Sequence, residues 1–96
     1  MDDTVEVTVA RRVTIVNQRG LHARAAAKFV KLAGTFQSEI TVAKKDVEVS
    51  GSSIMGLMML AAAPGCGLEI RASGPGAEAA VSALADLVAN RFDEDG

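Results

Sequence analysis

Apolar residues fall at alternate positions through the start of the chain: Val5, Val7 and Val9, then Val13 and Ile15, with Arg11 interrupting the stripe. A period of two belongs to a strand with one buried face, and it predicts strand one, clearest from Val9 to Val16. The period then changes. In HARAAAKFVKLAG the apolar positions Ala26, Phe29, Val30 and Ala33 recur at helical spacing, while Lys28 and Lys31 point elsewhere. Gly34 suits the end of such a helix, which is expected from about His22 to Ala33. Alternation returns in TFQSEITV, with Phe36, Ser38, Ile40 and Val42, as strand two. AKKD is a polar turn and VEVS a short strand three, so the two strands form a hairpin.

GSSIMGLMMLAA reads as a short helix that Ser52 or Ser53 caps, because a serine oxygen accepts from a free N–H of the first turn. APGCG breaks it. LEIRAS alternates Leu68, Ile70 and Ala72 as strand four. GPGAEAAVSALADLVANRF is a long closing helix with an apolar stripe of Ala80, Val81, Leu84, Leu87, Val88 and Phe92, and with Pro75 in its first turn. The order is β-α-β-β-α-β-α. Four strands with one apolar face each need a cover, and three helices supply it. The expected fold is α+β: a two-layer open-faced sandwich whose four-stranded antiparallel sheet is covered on one face. The 96 residues are expected to form a single domain over 1–96, with residues 1–8 a loose N-terminal extension.

Composition narrows the function classes. A net charge of −2 and 3% aromatics argue against a nucleic-acid binder, which needs a basic excess or stacking platforms. The opening MDDT is acidic and is not the start of a secretory signal. The longest apolar run, Ile54 to Ala63, is too short to span a membrane and is stopped by Pro64. One cysteine, Cys66, excludes an internal disulfide, and a reducing cytoplasm fits best. One histidine and one cysteine do not make an ordinary zinc site, and Cys66, in a turn, reads as a bystander. No cofactor or metal is implied, and a monomer without membrane attachment is expected.

The single histidine, His22, falls where a loop becomes a helix, in NQRGLHARAAAKFV. Helix starts favour Ser, Thr, Asp and Asn, so histidine there asks for a reason. Free N–H donors and the positive end of the helix dipole attract an anion. Arg24 adds a fixed cation whose fork matches phosphate; Lys28 is a weaker candidate. A neutral imidazole is a competent nucleophile near pH 7, and Nδ1 would best place a phosphoryl group over the N–H donors. Gly20 lets the chain turn tightly before the helix. The bland alternative is a surface histidine that merely caps. No second catalytic side chain is visible near His22, which favours a carrier that borrows its catalysis from partners. The acidic tail FDEDG reads as a solvated end.

GLHARAAAKFV closely resembles the active-site segment G-[LIM]-H-[AT]-R-P-A of the HPr family, the histidine phosphocarriers of the bacterial phosphoenolpyruvate-dependent phosphotransferase system. SGSSIMGLMMLAA resembles the family's second signature, a serine followed by a short apolar helix, and SEITV and LVANRFDED also fit. The resemblance runs from about Val9 onward in the same element order. It implies that His22 is phosphorylated at Nδ1 by enzyme I and passes the group to a downstream EIIA-type histidine domain, and that Arg24 contacts the phosphoryl group. It implies that Ser53 is the serine modified by an HPr serine kinase/phosphatase. It further implies that Ala23, Ala27, Lys31, Ile54, Met55 and Met58 form the docking surface. Such a protein is a carrier and not an enzyme. Ala25 stands where the family has proline. The termini, TVEVTV and FDED, are nearer the nitrogen-related branch than the sugar-transport branch.

Two other function classes stay open on the residues alone. One is a non-catalytic docking module of the same fold, switched at Ser53. The other is a small ligand-binding domain of the ferredoxin-like type, in which His22 is incidental. For Ile54, Met55 and Met58, core packing competes with docking, since a short apolar helix must bury part of itself.

Overall fold

The computed structural model describes residues 8–94. Val5 and Val7 of the alternating stripe, and the expected extension up to residue 7, lie outside the described residues. The elements are β1 (Thr8–Thr14), α1 (Ala23–Ala33), β2 (Glu39–Lys44), β3 (Val47–Ser50), α2 (Ile54–Met59), β4 (Gly67–Ser73) and α3 (Ala77–Ala89), followed by a short turn at Arg91–Asp93. The sheet runs β1-β4-β2-β3, and every neighbouring pair is antiparallel. This is the expected four-stranded α+β sandwich. β4, last in sequence, sits between β1 and β2, so the sheet closes only after most of the chain has been laid down.

Register explains the two faces. Val9 pairs with Ala72 and Val13 with Leu68, while Ile40 pairs with Ala72 and Val42 with Ile70; these positions face the helices. Arg11 pairs with Ile70 on the same face yet stays exposed, which accounts for the break in the β1 stripe. The opposite face carries Arg12, Thr41, Glu48, Glu69 and Arg71 in facing positions. Arg71 bridges Glu48 and Glu69 there. These pairs are solvent-exposed, so they keep that face wet and add little stability.

The core between sheet and helices is aliphatic. Ile15, Phe29, Val42, Leu57, Ile70, Val81, Leu84 and Phe92 all belong to one buried cluster. On α1 the buried side is Ala25, Ala26, Phe29 and Ala33; on α3 it is Ala77, Ala80, Val81, Leu84, Ala85 and Val88. Small alanines let the helices lie close to the sheet, which suits a core with only three aromatic residues in the chain.

Several boundaries differ from the pattern reading. Thr8, assigned to the extension, pairs with Ser73 in β1. β1 stops at Thr14, and Ile15 and Val16 lie past it, although the Ile15 N–H still donates to the Cys66 carbonyl (2.9 Å). Strand two starts at Glu39, because Thr35 and Phe36 spend their N–H groups on carbonyls at the end of α1. The β2–β3 turn is only Lys45 and Asp46; Ala43 and Lys44 belong to the strand. α3 starts at Ala77, leaving Pro75 outside it, because Gly74 (φ +96°) and Gly76 (φ +76°) are left-handed and cannot lie within a right-handed turn. α3 also ends at Ala89, so Phe92 reaches the core from the turn beyond it and not from the helical stripe. Among the described residues no helix is long and apolar enough to cross a membrane.

Candidate functional site

The site begins with the loop that leads into α1. Gly20 is left-handed (φ +67°), and a Cβ there would lie 2.4 Å from the Ala62 carbonyl oxygen. The next residue, Leu21, donates its N–H to that same carbonyl at 2.9 Å. The segment after α2 therefore clamps the loop, and only glycine fits at the crossing. This fixes where His22 emerges.

His22 is the N-cap of α1, with extended backbone (φ −81°, ψ −178°). Its ring nitrogen Nδ1 accepts from the Arg24 N–H at 3.3 Å. Nδ1 thus faces the first turn of α1. Its other ring nitrogen, Nε2, is in hydrogen-bond contact with the Glu94 carboxylate oxygen Oε2. One ring nitrogen accepts and the other faces a carboxylate, so the neutral ring carries its proton on Nε2 and its lone pair on Nδ1.

Glu94 is itself held. Its Oε1 accepts from Asn17 Nδ2 at 3.1 Å, and the same Asn17 nitrogen donates to the Gly20 carbonyl at 2.8 Å. Asn17 is fully buried, and its Oδ1 has no partner among the described residues. Burial pushes the Glu94 carboxyl up, but hydrogen bonds from His22 and Asn17, with the positive charge of Arg19, outweigh it and hold the carboxyl below its ordinary value. The acidic tail is thus not simply a solvated end: its Glu94 closes one side of the site. Pattern reading missed both Glu94 and Asn17. The only signals for them were an asparagine at the end of a strand and a carboxylate just past a buried phenylalanine.

Glu94 arrives on the turn at Arg91–Asp93, where three successive residues are left-handed: φ is +59°, +53° and +61°. None is glycine, and each costs about 1 kcal/mol in that region. Two contacts offset this. Phe92 is fully buried, and such a side chain contributes about 1.5–3 kcal/mol. Lys28 Nζ donates to the Phe92 carbonyl at 2.7 Å. Lys28, a weaker candidate for anion contact, is therefore committed to this turn.

The other candidates lie on α1 and at α2. Arg24 is exposed at the second position of α1, the first turn carries no acidic residue, and among the described residues the guanidinium makes no hydrogen bond. Ala25 is fully buried in that turn. Ala23, Ala27 and Lys31 lie at four-residue steps on α1 and are all exposed, as one stripe. α1 packs beside α2. On α2, Leu57 turns into the core with Leu60 beyond it, while Ile54, Met55 and Met58 are 40%, 74% and 43% exposed. Core packing therefore does not explain these three residues. Met59, at 77%, joins them and was not singled out by the sequence. Ser53 rather than Ser52 caps α2, its Oγ accepting from the Gly56 N–H at 2.9 Å. At the other end of α2, Lys44 Nζ donates to the Leu60 carbonyl at 2.9 Å.

A family model described as "PTS HPr component phosphorylation site" matches residues 9–90. The chain is 46% identical over 84 residues to phosphocarrier protein HPr of Cupriavidus necator, covering 88% of this chain and 94% of that protein. It is 43% identical over 84 residues to phosphocarrier protein NPr of Shewanella violacea, covering 88% and 92%. The crystal structure of an HPr from Thermoanaerobacter tengcongensis superposes with a TM-score of 0.82 at 41% identity, covering 97% of this chain and all of that one. With its motif, element order and sheet topology in agreement, the chain belongs to the HPr family, the phosphoryl-carrier components of the phosphotransferase system.

Proposed function

We propose that this protein carries a phosphoryl group on His22 Nδ1, taking it from a phosphohistidine of enzyme I, ultimately from phosphoenolpyruvate, and passing it to a downstream EIIA-type histidine domain. The observation that carries this reading is the orientation of His22. Its Nδ1 lone pair faces the first-turn donors of α1, beside Arg24, where an incoming phosphoryl group meets N–H groups and a cation. The Nδ1 lone pair forms the new N–P bond. The donor's N–P bond breaks, and its electron pair stays on the donor nitrogen. Arg24 balances the charge on the phosphoryl oxygens as it moves. The exposed stripe Ala23, Ala27 and Lys31, with Ile54, Met55 and Met58, docks the partner beside the histidine. Ser53 is the position for a regulatory serine kinase. A reducing cytoplasm suits such a carrier.

The test is incubation with phosphoenolpyruvate and purified enzyme I. One acid-labile phosphoryl group is expected per chain, and His22→Ala should abolish it. Labelling of the alanine variant would remove His22 from the reaction. No labelling of the wild type would leave the docking-module reading in its place.

A further inference from the structure

We infer that Glu94 is a positioning residue for the transfer: held by Asn17, it takes the Nε2–H of His22, presents the Nδ1 lone pair to phosphorus, and balances the charge the ring gains on phosphorylation. This rests on His22 being the acceptor. It concerns a segment beyond residues 9–90, the part matched by the family model.

Three observations converge on it. The first is the relay itself. Asn17 Nδ2 donates to one Glu94 oxygen at 3.1 Å, and the other oxygen contacts His22 Nε2. The second is what the fold gives up to make the relay. Asn17 is buried with its Oδ1 unpartnered among the described residues, and three non-glycine residues before Glu94 are held left-handed. Strain and orphaned polar atoms persist only where surrounding structure enforces them, and they collect at functional sites. The third is that the turn is anchored from two sides. Phe92 is buried in the core, and Lys28 of α1 holds its carbonyl. Glu94 is therefore delivered to His22 from both the core and α1.

The chemistry follows from the proton count. When neutral His22 attacks through Nδ1, the Nε2–H stays where it is. The ring then holds both an Nδ1–P bond and an Nε2–H bond, and becomes a phosphoimidazolium. No proton leaves, and none has to be found on return. The positive charge that appears on the ring faces the Glu94 carboxylate. Glu94 thus favours the phosphorylated form over the free one and sets how readily the group is given away. A neutral amide at the same place would keep the hydrogen bond and lose the charge.

The experiment separates these parts with Glu94→Gln, Glu94→Ala and Asn17→Ala in the full chain. In the unphosphorylated protein the His22 Nε2–H proton should appear as a resolved downfield resonance. It should persist in Glu94→Gln, weaken in Asn17→Ala, and vanish in Glu94→Ala while circular dichroism stays unchanged. The equilibrium constant for transfer from phosphorylated enzyme I should fall about tenfold in both Glu94 variants, the scale of losing an opposite charge at hydrogen-bond distance. A purely structural Glu94 would move stability without moving this equilibrium in Glu94→Gln. A resonance retained in Glu94→Ala, or a transfer equilibrium within about twofold of wild type in both variants, would overturn the inference. Failure of enzyme I to label the wild type would sink the carrier reading instead, and the proton resonance would still decide what Glu94 does to the ring.

Discussion

Lys28 and Phe92 tie the first helix to the end of the chain: the Lys28 ammonium donates to the Phe92 carbonyl at 2.7 Å, 64 residues away in sequence. The bond lies one turn and a half into α1 from His22, and it pins the left-handed turn that delivers Glu94. Replacing Lys28 by Met keeps the apolar stem and removes the donor. The loss should be about 1–2 kcal/mol in urea unfolding, the scale of a charged hydrogen bond that is partly screened. Amide exchange at Arg91 to Glu94 should accelerate well before the sheet opens. Unchanged exchange there would mean that Phe92 alone fixes the turn.

Arg24 is exposed, its backbone N–H donates to His22 Nδ1, and its guanidinium has no hydrogen-bond partner among the described residues, so its charge is available to an incoming anion. Arg24→Ala should slow phosphoryl exchange at His22 by roughly 10–100-fold, the range for removing one transition-state donor at a partly exposed site. Circular dichroism and the unfolding midpoint should barely change. Transfer at wild-type rates in both directions would take Arg24 out of the mechanism.

Ala25 occupies the third position of α1, where the N–H needs no helical partner, and it is fully buried. Proline at this position costs no intrahelical bond and stiffens the unfolded chain. Ala25→Pro should keep the labelling of His22 and raise stability by up to about 1 kcal/mol. The burial makes this a sharp test, because the ring needs room that an alanine does not. A clear loss of stability would mean that the core beneath α1 has closed around the smaller side chain.

The fold was largely legible because it rests on periodicity. Alternation gave the strands, helical spacing gave the helices, and the histidine's place at a helix start was visible from the glycine before it. The carboxylate side of the site was hidden for physical reasons. A left-handed run at Arg91, Phe92 and Asp93 contains no glycine or asparagine, so nothing in its composition marks it. Phe92 fitted the helical stripe of α3 by spacing, and only the structure shows it entering the core from a turn. Asn17 and Glu94 are 77 residues apart, and no local pattern reports such a pairing. The exposed face of α2 was legible in part: spacing put Ile54, Met55 and Met58 together, but only burial separates them from Leu57.

Ser53 caps α2 through its Oγ, so a carboxylate in its place still meets the Gly56 N–H. Ser53→Asp should therefore keep the fold. The added charge sits beside Ile54, Met55 and Met58, all exposed. It should weaken docking and slow the labelling of His22 by enzyme I. Added salt should recover part of the rate, since exposed charges are screened over about 10 Å at 0.1 M ionic strength. Equal rates for wild type and Ser53→Asp at low salt would leave Ser53 a cap and nothing more.

The Glu94 carboxyl carries a pH signature whose sign is fixed by its surroundings. Burial raises its pKa, but donors from His22 and Asn17 and the charge of Arg19 lower it further, so the folded value lies below the ordinary one. A carboxyl depressed on folding stabilises the protein above its unfolded pKa, about 4.3 for glutamate. That stabilisation is lost as pH falls through the lower folded value, because the unfolded chain binds the proton first. Glu94→Gln cannot titrate and lacks the contribution at every pH. The stability difference between wild type and Glu94→Gln should thus be present at pH 5.5 and shrink steadily below about pH 4. Urea unfolding of both proteins across this range measures it directly. Lys28→Met should reduce the difference, because a loosened turn no longer holds the carboxyl against His22. A gap between wild type and Glu94→Gln that is constant from pH 5.5 to pH 3 would mean that Glu94 is not ionised against His22 in the folded protein.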